Sequence, residues 1–277
     1  MTPPLVHRNL ALAQRLERAE VAITSSVMIA AREADPKSPA TSIDVAGGKA
    51  MILGPGSPFN SVKGMGLHGP VTPADLDTVE TFFASHGGGV ITVDVCPLAD
   101  PSLWTLLGER GYRLAEFENV LVRPIRPSDR DQPETPGVTV TEATQGEGEL
   151  YARTLGLGFS DGAEPPEWMM ELGRNALRIR ETTRFLARLD GHIVGASGLR
   201  ILDGMVAFLG TAVLPEARGR GVQTAIIRER LRRAAEMGCD LAKVDVKPGL
   251  GSHRNFERHG FSIAYTRAQA VKTLATN

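Results

Sequence analysis

The stretch Ala212-Val213-Leu214-Pro215-Glu216-Ala217-Arg218-Gly219-Arg220-Gly221-Val222-Gln223 decides how the rest of this chain is read. An apolar strand ends at Pro215, and a loop rich in arginine and glycine then opens directly into a helix. The first turn of a helix leaves about four backbone N–H groups without intrahelical partners. The macrodipole adds about half a positive charge there. Glycines let the chain curl so that successive N–H groups converge on one point. With Arg218 and Arg220 adding full charges, the segment suits a phosphate or, better, a pyrophosphate. Along the helix Val222, Ile226, Leu231 and Ala234 form the apolar stripe. Arg228, Arg230, Arg232 and Arg233 read as its solvated face.

Outward from this stretch, turn and cap signals divide the second half. Val138 to Thr141 reads as a strand, and Glu147 to Leu157 and Pro166 to Leu177 read as helices. Thr183 to Leu189 and His192 to Arg200 flank a turn at Asp190-Gly191. Asp203-Gly204 turns into a strand from Met205 to Leu214. Gly221 to Met237 is a long helix, followed by a strand from Leu241 to Val246. A helix from Arg254 to His259 and a last strand from Phe261 to Val271 complete the half. The fold class is α/β in the α+β sense, with a mixed, mainly antiparallel sheet flanked by helices.

The first half carries an echo of the second. Val93-Asp94-Val95-Cys96-Pro97 parallels Val244-Asp245-Val246-Lys247-Pro248, and Glu109-Arg110-Gly111-Tyr112 parallels Glu257-Arg258-His259-Gly260-Phe261. Two ordered matches at nearly one offset indicate a duplicated domain. Between the halves, Arg123 to Gly137 holds Pro124, Pro127, Pro133 and Pro136 and reads as a linker unable to hold a helix or central strand. The expected layout is therefore residues 1–123, a linker at 124–137, and residues 138–277. In the first half the loop equivalent to the opening stretch is Asn60 to Asp75. It has Gly64, Gly66 and Gly69 but no arginine. Pro70 and Pro73 remove donors, and Asp75 and Asp77 repel an anion. This half is expected to keep the fold without the phosphate site.

Composition narrows the partners. The 277 residues carry a formal net charge of -1, against a general polyanion binder such as a nucleic-acid-coating protein. No apolar run approaches the roughly 18–20 residues of a membrane span. Met1 to Leu16 has an amphipathic helix pattern and not that of an export signal. Cys96 and Cys239 lack metal-ligand spacing, so neither a disulfide framework nor a metal site is expected, and a cytoplasmic location fits.

Val213, Pro215, Glu216, Arg218, Gly219 and Gly221 resemble the coenzyme A signature of the Gcn5-related N-acetyltransferase (GNAT) superfamily, with Gln223 where a small residue is usual. The resemblance covers roughly Val138 to Val271 and implies two GNAT-like domains in tandem, the first degenerate. It implies acetyl-coenzyme A as cofactor, held by Ala212, Val213 and Leu214 along the strand, by Arg218, Gly219, Arg220, Gly221, Val222 and Gln223 in the loop and first turn, and by Asn255. It implies transfer of an acetyl group to a primary amine of a small molecule, by a monomer or homodimer. The same strand usually carries a bulge in the family, and a strand N–H near Ala212 is expected to stabilise the developing oxyanion. The family's usual strand glutamate is missing from Phe208-Leu209-Gly210-Thr211, and Phe256 stands where a tyrosine is frequent. Asp245 as base and Tyr265 as acid are the substitutes. Glu164, Glu167 and Glu171, with Trp168, Met169 and Met170, are expected to shape the acceptor pocket. An acyl-coenzyme A sensor without turnover, or an acyltransferase acting on proteins or peptides, are the competing readings.

Overall fold

The computed structural model describes residues 8–274, so the first positions of the predicted N-terminal helix lie outside the described residues. Two compact units emerge: residues 8–120 with 263–274, and residues 121–262. Each is a sheet with helices against it.

In the N-terminal unit the order is α1 (Leu10–Ala34), β1 (Thr41–Val45), β2 (Gly48–Ile52), β3 (Ser61–Lys63), α2 (Pro73–Ser85), β4 (Val90–Val95) and α3 (Ser102–Glu109). β5 (Arg113–Pro124) begins in this unit and ends in the other. The C-terminal unit continues with β6 (Val138–Glu142), α4 (Gly148–Phe159), α5 (Glu167–Ala176), β7 (Thr182–Leu189), β8 (His192–Leu202) and β9 (Met205–Val213). α6 (Val222–Glu236), β10 (Leu241–Val246) and α7 (Gly251–Arg258) complete it. The final strand, β11 (Ser262–Thr273), lies in the N-terminal unit.

The duplication read from the sequence appears as matching element orders. β3, a loop, α2, β4 and α3 repeat as β9, a loop, α6, β10 and α7. In each set the flanking strands are parallel, β3 to β4 and β9 to β10, while the hairpins around them are antiparallel. Asp94 and Asp245 occupy the same place in β4 and β10. The tight turns form where Asp190-Gly191 and Asp203-Gly204 take positive φ, 52° and 85°, then 49° and 72°.

One boundary differs from the sequence expectation. Instead of ending the second half, β11 pairs antiparallel with β4, from Ala268 against Val95 to Thr273 against Val90. Tyr265 and Arg267 therefore belong to the N-terminal unit. Arg267, fully buried, donates to Glu17 of α1 at 2.8 and 3.0 Å, and Tyr265 donates its hydroxyl proton to the same oxygen at 2.6 Å.

The linker is packed rather than loose. Pro127–Arg130 winds into a single 3-10 turn whose Asp129 is buried. Arg123 donates to both Asp129 oxygens, at 2.7 and 2.6 Å, and the Arg126 backbone N–H adds a third bond at 2.8 Å. Such a fork is the strongest geometry for a carboxylate. In the core of the C-terminal unit, Ile227, Leu231 and Ala234 of α6 pack with Phe185, Leu199, Val206, Phe208, Val244, Phe256 and Phe261.

Removing one member of a buried pair strands the other charge. Asp129→Ala is expected to lower unfolding free energy by about 3–5 kcal/mol, read as a lower denaturant midpoint. An unchanged midpoint shows that the linker contributes nothing to stability.

Candidate active site

The predicted phosphate loop forms as a cradle. After β9, Pro215–Ala217 makes one 3-10 turn, Arg218 is extended, and Gly219 and Gly221 adopt φ of 74° and 81°. Only glycine enters that region without strain. A side chain at Gly221 would also put its Cβ 2.8 Å from Thr135 Cγ2. Gly221 caps α6 without any side-chain hydrogen bond, and its carbonyl accepts from Ala225 N–H at 3.0 Å as the helix begins. The N–H groups of Val222, Gln223 and Thr224 precede that bond and lack intrahelical acceptors.

The arginines sit beside the cradle but are engaged. Arg218 pairs with Asp161, donates to the Gly158 carbonyl at 3.1 Å, and reaches the Val213 carbonyl at 3.3 Å. Arg220 donates to Asp190 at 3.0 Å. These pairs are exposed, and exposed pairs contribute only about 0.2–1 kcal/mol. A pyrophosphate can outcompete them.

Gln223 points away from the cradle: its Oε1 accepts from Asn255 Nδ2 at 2.5 Å. The Asn255 amide oxygen accepts from Arg258 at 3.3 Å, so both ends of that side chain are committed. Asn255 serves as a brace between α7 and the first turn of α6.

The strand leading into the cradle has two irregularities. β9 pairs with β10 at Met205–Leu241, Val206–Ala242 and Ala207–Lys243, and the ladder stops there although both strands continue. On its other edge, Ser197 of β8 faces Thr211 while Gly198 faces Leu209, so Gly210 is an extra, bulged residue with φ of 28°.

Which backbone groups face the gap follows from alternation along an antiparallel strand. Leu214 N–H donates to the Val194 carbonyl at 2.8 Å, and Leu214 C=O accepts from Ala217 N–H at 2.9 Å. Leu214 has both groups engaged and does not offer them to a ligand. Ala212, two residues earlier, also turns toward β8, which leaves Thr211 and Val213 facing the gap. Of the expected trio, only Val213 presents its backbone there, and Thr211 was not anticipated.

Phe256, in the position where a tyrosine was looked for, is buried. Its ring stands 6.4 Å from Phe208 and 5.2 Å from Phe261. The three rings fill the core just where β9 leaves β10.

The two expected catalytic groups belong to different units. Tyr265 is not at this site: it is buried in the N-terminal unit, where burial and then the neighbouring Glu17 raise its pKa far above the ordinary phenol value. Asp245 is on the part of β10 beyond its pairing with β9. Ala242, Val244 and Val246 pack toward α6, so Lys243 and Asp245 turn to the opposite face. Asp245 accepts from Lys243 Nζ at 2.9 Å.

The expected acceptor residues are mostly paired or packed. Glu164 binds Arg153 at 2.9 and 3.1 Å, and Glu167 binds Arg174 at 2.7 Å. Met170 is buried, Met169 sulfur lies 3.9 Å from Ser160 Oγ, and Trp168 is exposed.

Arg230 does not belong to a solvated face. It is completely buried, 4.1 Å above the Phe208 ring, and donates to the Gly198 carbonyl at 3.3 Å and Thr211 Oγ1 at 2.9 Å. Burial pushes its pKa down to about 9, against a smaller opposite effect of Tyr151. Its spacing held the signal, because Arg230 is four residues from both Ile226 and Ala234 on the apolar stripe.

The corresponding loop of the N-terminal unit is chemically closed. Gly66 N–H donates to the Ala46 carbonyl at 3.1 Å, and Val71 N–H donates to Ser102 Oγ at 2.7 Å. Thr72 and Asp75 cap α2 reciprocally, at 3.3 and 2.8 Å. A carboxylate already occupies the helix N-terminus where an anion would sit.

Residues 150–261 match the acetyltransferase (GNAT) family. No functionally curated protein matches the chain in sequence. Among solved structures, a GCN5-related N-acetyltransferase from Kribbella flavida aligns with a TM-score of 0.64 at 19% identity, over 90% of this chain and 96% of that one. A tandem GNAT protein from the clavulanic acid biosynthesis pathway aligns with a TM-score of 0.62 at 15% identity, over 83% of this chain and 80% of that one. A GCN5-related N-acetyltransferase from Sphaerobacter thermophilus aligns with a TM-score of 0.57 at 16% identity, over 99% and 95%. The segment holding the bulged strand, the glycine cradle and α6 thus lies within the residues that match the acetyltransferase (GNAT) family.

Proposed function

We propose that the C-terminal unit transfers an acetyl group from acetyl-coenzyme A to a primary amine of a small molecule. The observation that carries this reading is the parting of β9 from β10 directly before the glycine cradle. The cradle suits a pyrophosphate. The edge at Thr211 and Val213, where only the exposed Arg218 reaches the Val213 carbonyl, suits the amide-bearing arm of the same molecule, which can hydrogen-bond like an added strand. When bound, acetyl-coenzyme A supplies an activated thioester. The protein's part is to hold the amine in line and to present outward-facing strand N–H groups where negative charge develops on oxygen. As the N–C bond forms and the C–S bond breaks, the amine gives up one proton and the departing sulfur takes one. Asp245, on the stretch of β10 beyond its pairing with β9, is the carboxylate assigned to receive the amine's proton, directly or through water.

Calorimetric titration with acetyl-coenzyme A is expected to give one site per chain, in keeping with the capped loop of the N-terminal unit. Gly221→Val is expected to abolish that binding while the chain stays folded by circular dichroism. Two sites, or binding that survives the substitution, would overturn the assignment. Asp161→Asn releases Arg218 from its exposed partner and is expected to tighten binding about 2- to 5-fold, the equivalent of an exposed ion pair. Weaker binding in that variant shows instead that Asp161 positions the arginine. Asp245→Asn is expected to lower kcat about 100-fold or more with little change in acetyl-coenzyme A affinity; an unaltered kcat removes Asp245 from the chemistry.

A further inference from the structure

Arg230 brings a charge into the interior that the fold leaves unneutralised. The side chain is completely buried, no carboxylate of the described residues pairs with it, and its Nε is buried without a hydrogen-bond partner. Desolvating a charge is costly. An apolar side chain of similar volume often serves stability as well or better. The packing of α6 alone therefore does not account for an arginine here, and the three groups it grips lie around the bulge of β9.

Along a strand, residues an odd number apart turn to opposite faces. The extra residue at Gly210 resets that alternation, so Phe208 and Thr211, three apart, both turn toward α6. The guanidinium spans them. It lies 4.1 Å above the Phe208 ring, Nη2 donates to Thr211 Oγ1 at 2.9 Å, and Nη1 donates to the Gly198 carbonyl of β8 at 3.3 Å. Gly198 is the residue at which the β8–β9 register shifts. Arg230 is thus clamped to both strands at the irregularity, on the face of the sheet covered by α6. The Thr211 backbone lies in the sheet itself, and its N–H faces the gap between β9 and β10. Its side chain is held from one face while its N–H is left for the edge. Of the two residues that face the gap, Thr211 is next to the bulge, and Val213 is reached by Arg218.

In the acetyl transfer set out above, the amine nitrogen bonds to the thioester carbon and the C=O π electrons move onto oxygen. They return as the C–S bond breaks. Stabilising that oxygen requires donors and charges already in place. We infer that Arg230 is a positioning residue for this step: it fixes Thr211 so that the Thr211 N–H meets the thioester oxygen, and its unneutralised charge, one side chain behind that donor, adds to the field that draws electrons onto the oxygen. In this role Arg230 touches neither substrate and exchanges no proton. Because the charge is buried, water and salt screen it weakly. The inference rests on the acetyl-transfer reading for its ligand, and adds to it a source of transition-state stabilisation that lies outside the strand.

Isotope-edited infrared spectroscopy of acetyl-coenzyme A labelled at the thioester carbonyl reads the field at that oxygen directly and needs no acceptor. The bound carbonyl band is expected at lower frequency in the unaltered protein than in Arg230→Met. Arg230→Lys, which keeps the charge and loses the fork, is expected between them. Acetyl-coenzyme A affinity by calorimetry is expected to stay within about 3-fold in all three. A residue that merely filled space would leave the band where it is. Thr211→Val keeps the shape of a half-buried side chain and removes only the hydroxyl that Arg230 grips, so it decides the matter if Arg230→Met does not fold. Its band is expected to move the same way. An unmoved band in an Arg230→Met protein that still binds, or in Thr211→Val, overturns the positioning role and leaves the acetyltransferase reading standing. Failure of the unaltered protein to bind acetyl-coenzyme A overturns that reading, and the inference with it.

Discussion

The parting of β9 from β10 is the constraint on which the rest of the C-terminal unit depends. Parallel strands joined through a helix ordinarily stay paired along their shared length. Here pairing ends at Ala207 and Lys243, and three features hold the strands apart. The bulge at Gly210 re-aims the end of β9. The rings of Phe208, Phe256 and Phe261 fill the volume where the strands diverge. Arg230 takes up the Gly198 carbonyl beside the bulge. A buried backbone acceptor left unpaired is costly, so the charged side chain stabilises the irregularity that opens the sheet. The loop–helix junction then follows from the new direction of β9, which delivers the chain to Gly219 and Gly221.

The two repeats differ in how the loop closes onto its helix. Both have glycines at positive φ between a short strand and a helix. In the N-terminal unit a threonine and an aspartate close the helix end on itself, and Pro73 removes a further donor. In the C-terminal unit Gly221 caps the helix with nothing but backbone. The same half-charge at a helix N-terminus is met by a side-chain cap in one case and has no side-chain cap in the other.

Much of this was legible in the sequence because it is local. The Arg-Gly loop, the Asp-Gly turns and the repeated Val-Asp-Val strands each depend on residues within a few positions of one another, and the structure forms each of them. Gly219 and Gly221 lie in the loop before α6, and Val213 ends β9. Three things were not local. Leu214 is consumed by a hydrogen bond to Val194, which depends on how β8 and β9 align past the bulge. Tyr265 looked like a neighbour of the last helix, yet which sheet a terminal strand joins is set by long-range pairing that short sequence windows do not carry. Arg230 was hidden among three other arginines of α6, and its place on the buried stripe went against the ordinary expectation for a charge.

The placement of β11 also changes what a domain means in this chain. The core of the N-terminal unit contains Glu17, whose carboxylate is held by Arg267 and Tyr265, residues found some 250 positions later. The three are buried together, with Arg267 fully enclosed. Without β11, Glu17 would be a carboxylate in the interior with its cation removed, and β4 would lose the strand beside Val90–Val95. Burying a lone charge costs far more than an ordinary packing defect, and an unpaired strand edge invites pairing with other chains. A linker at 124–137 therefore marks where the sequence repeats, not where the protein can be divided. Residues on both sides of the C-terminal unit build the N-terminal unit, so the chain must extend to Thr273 before its first helix has its full set of partners.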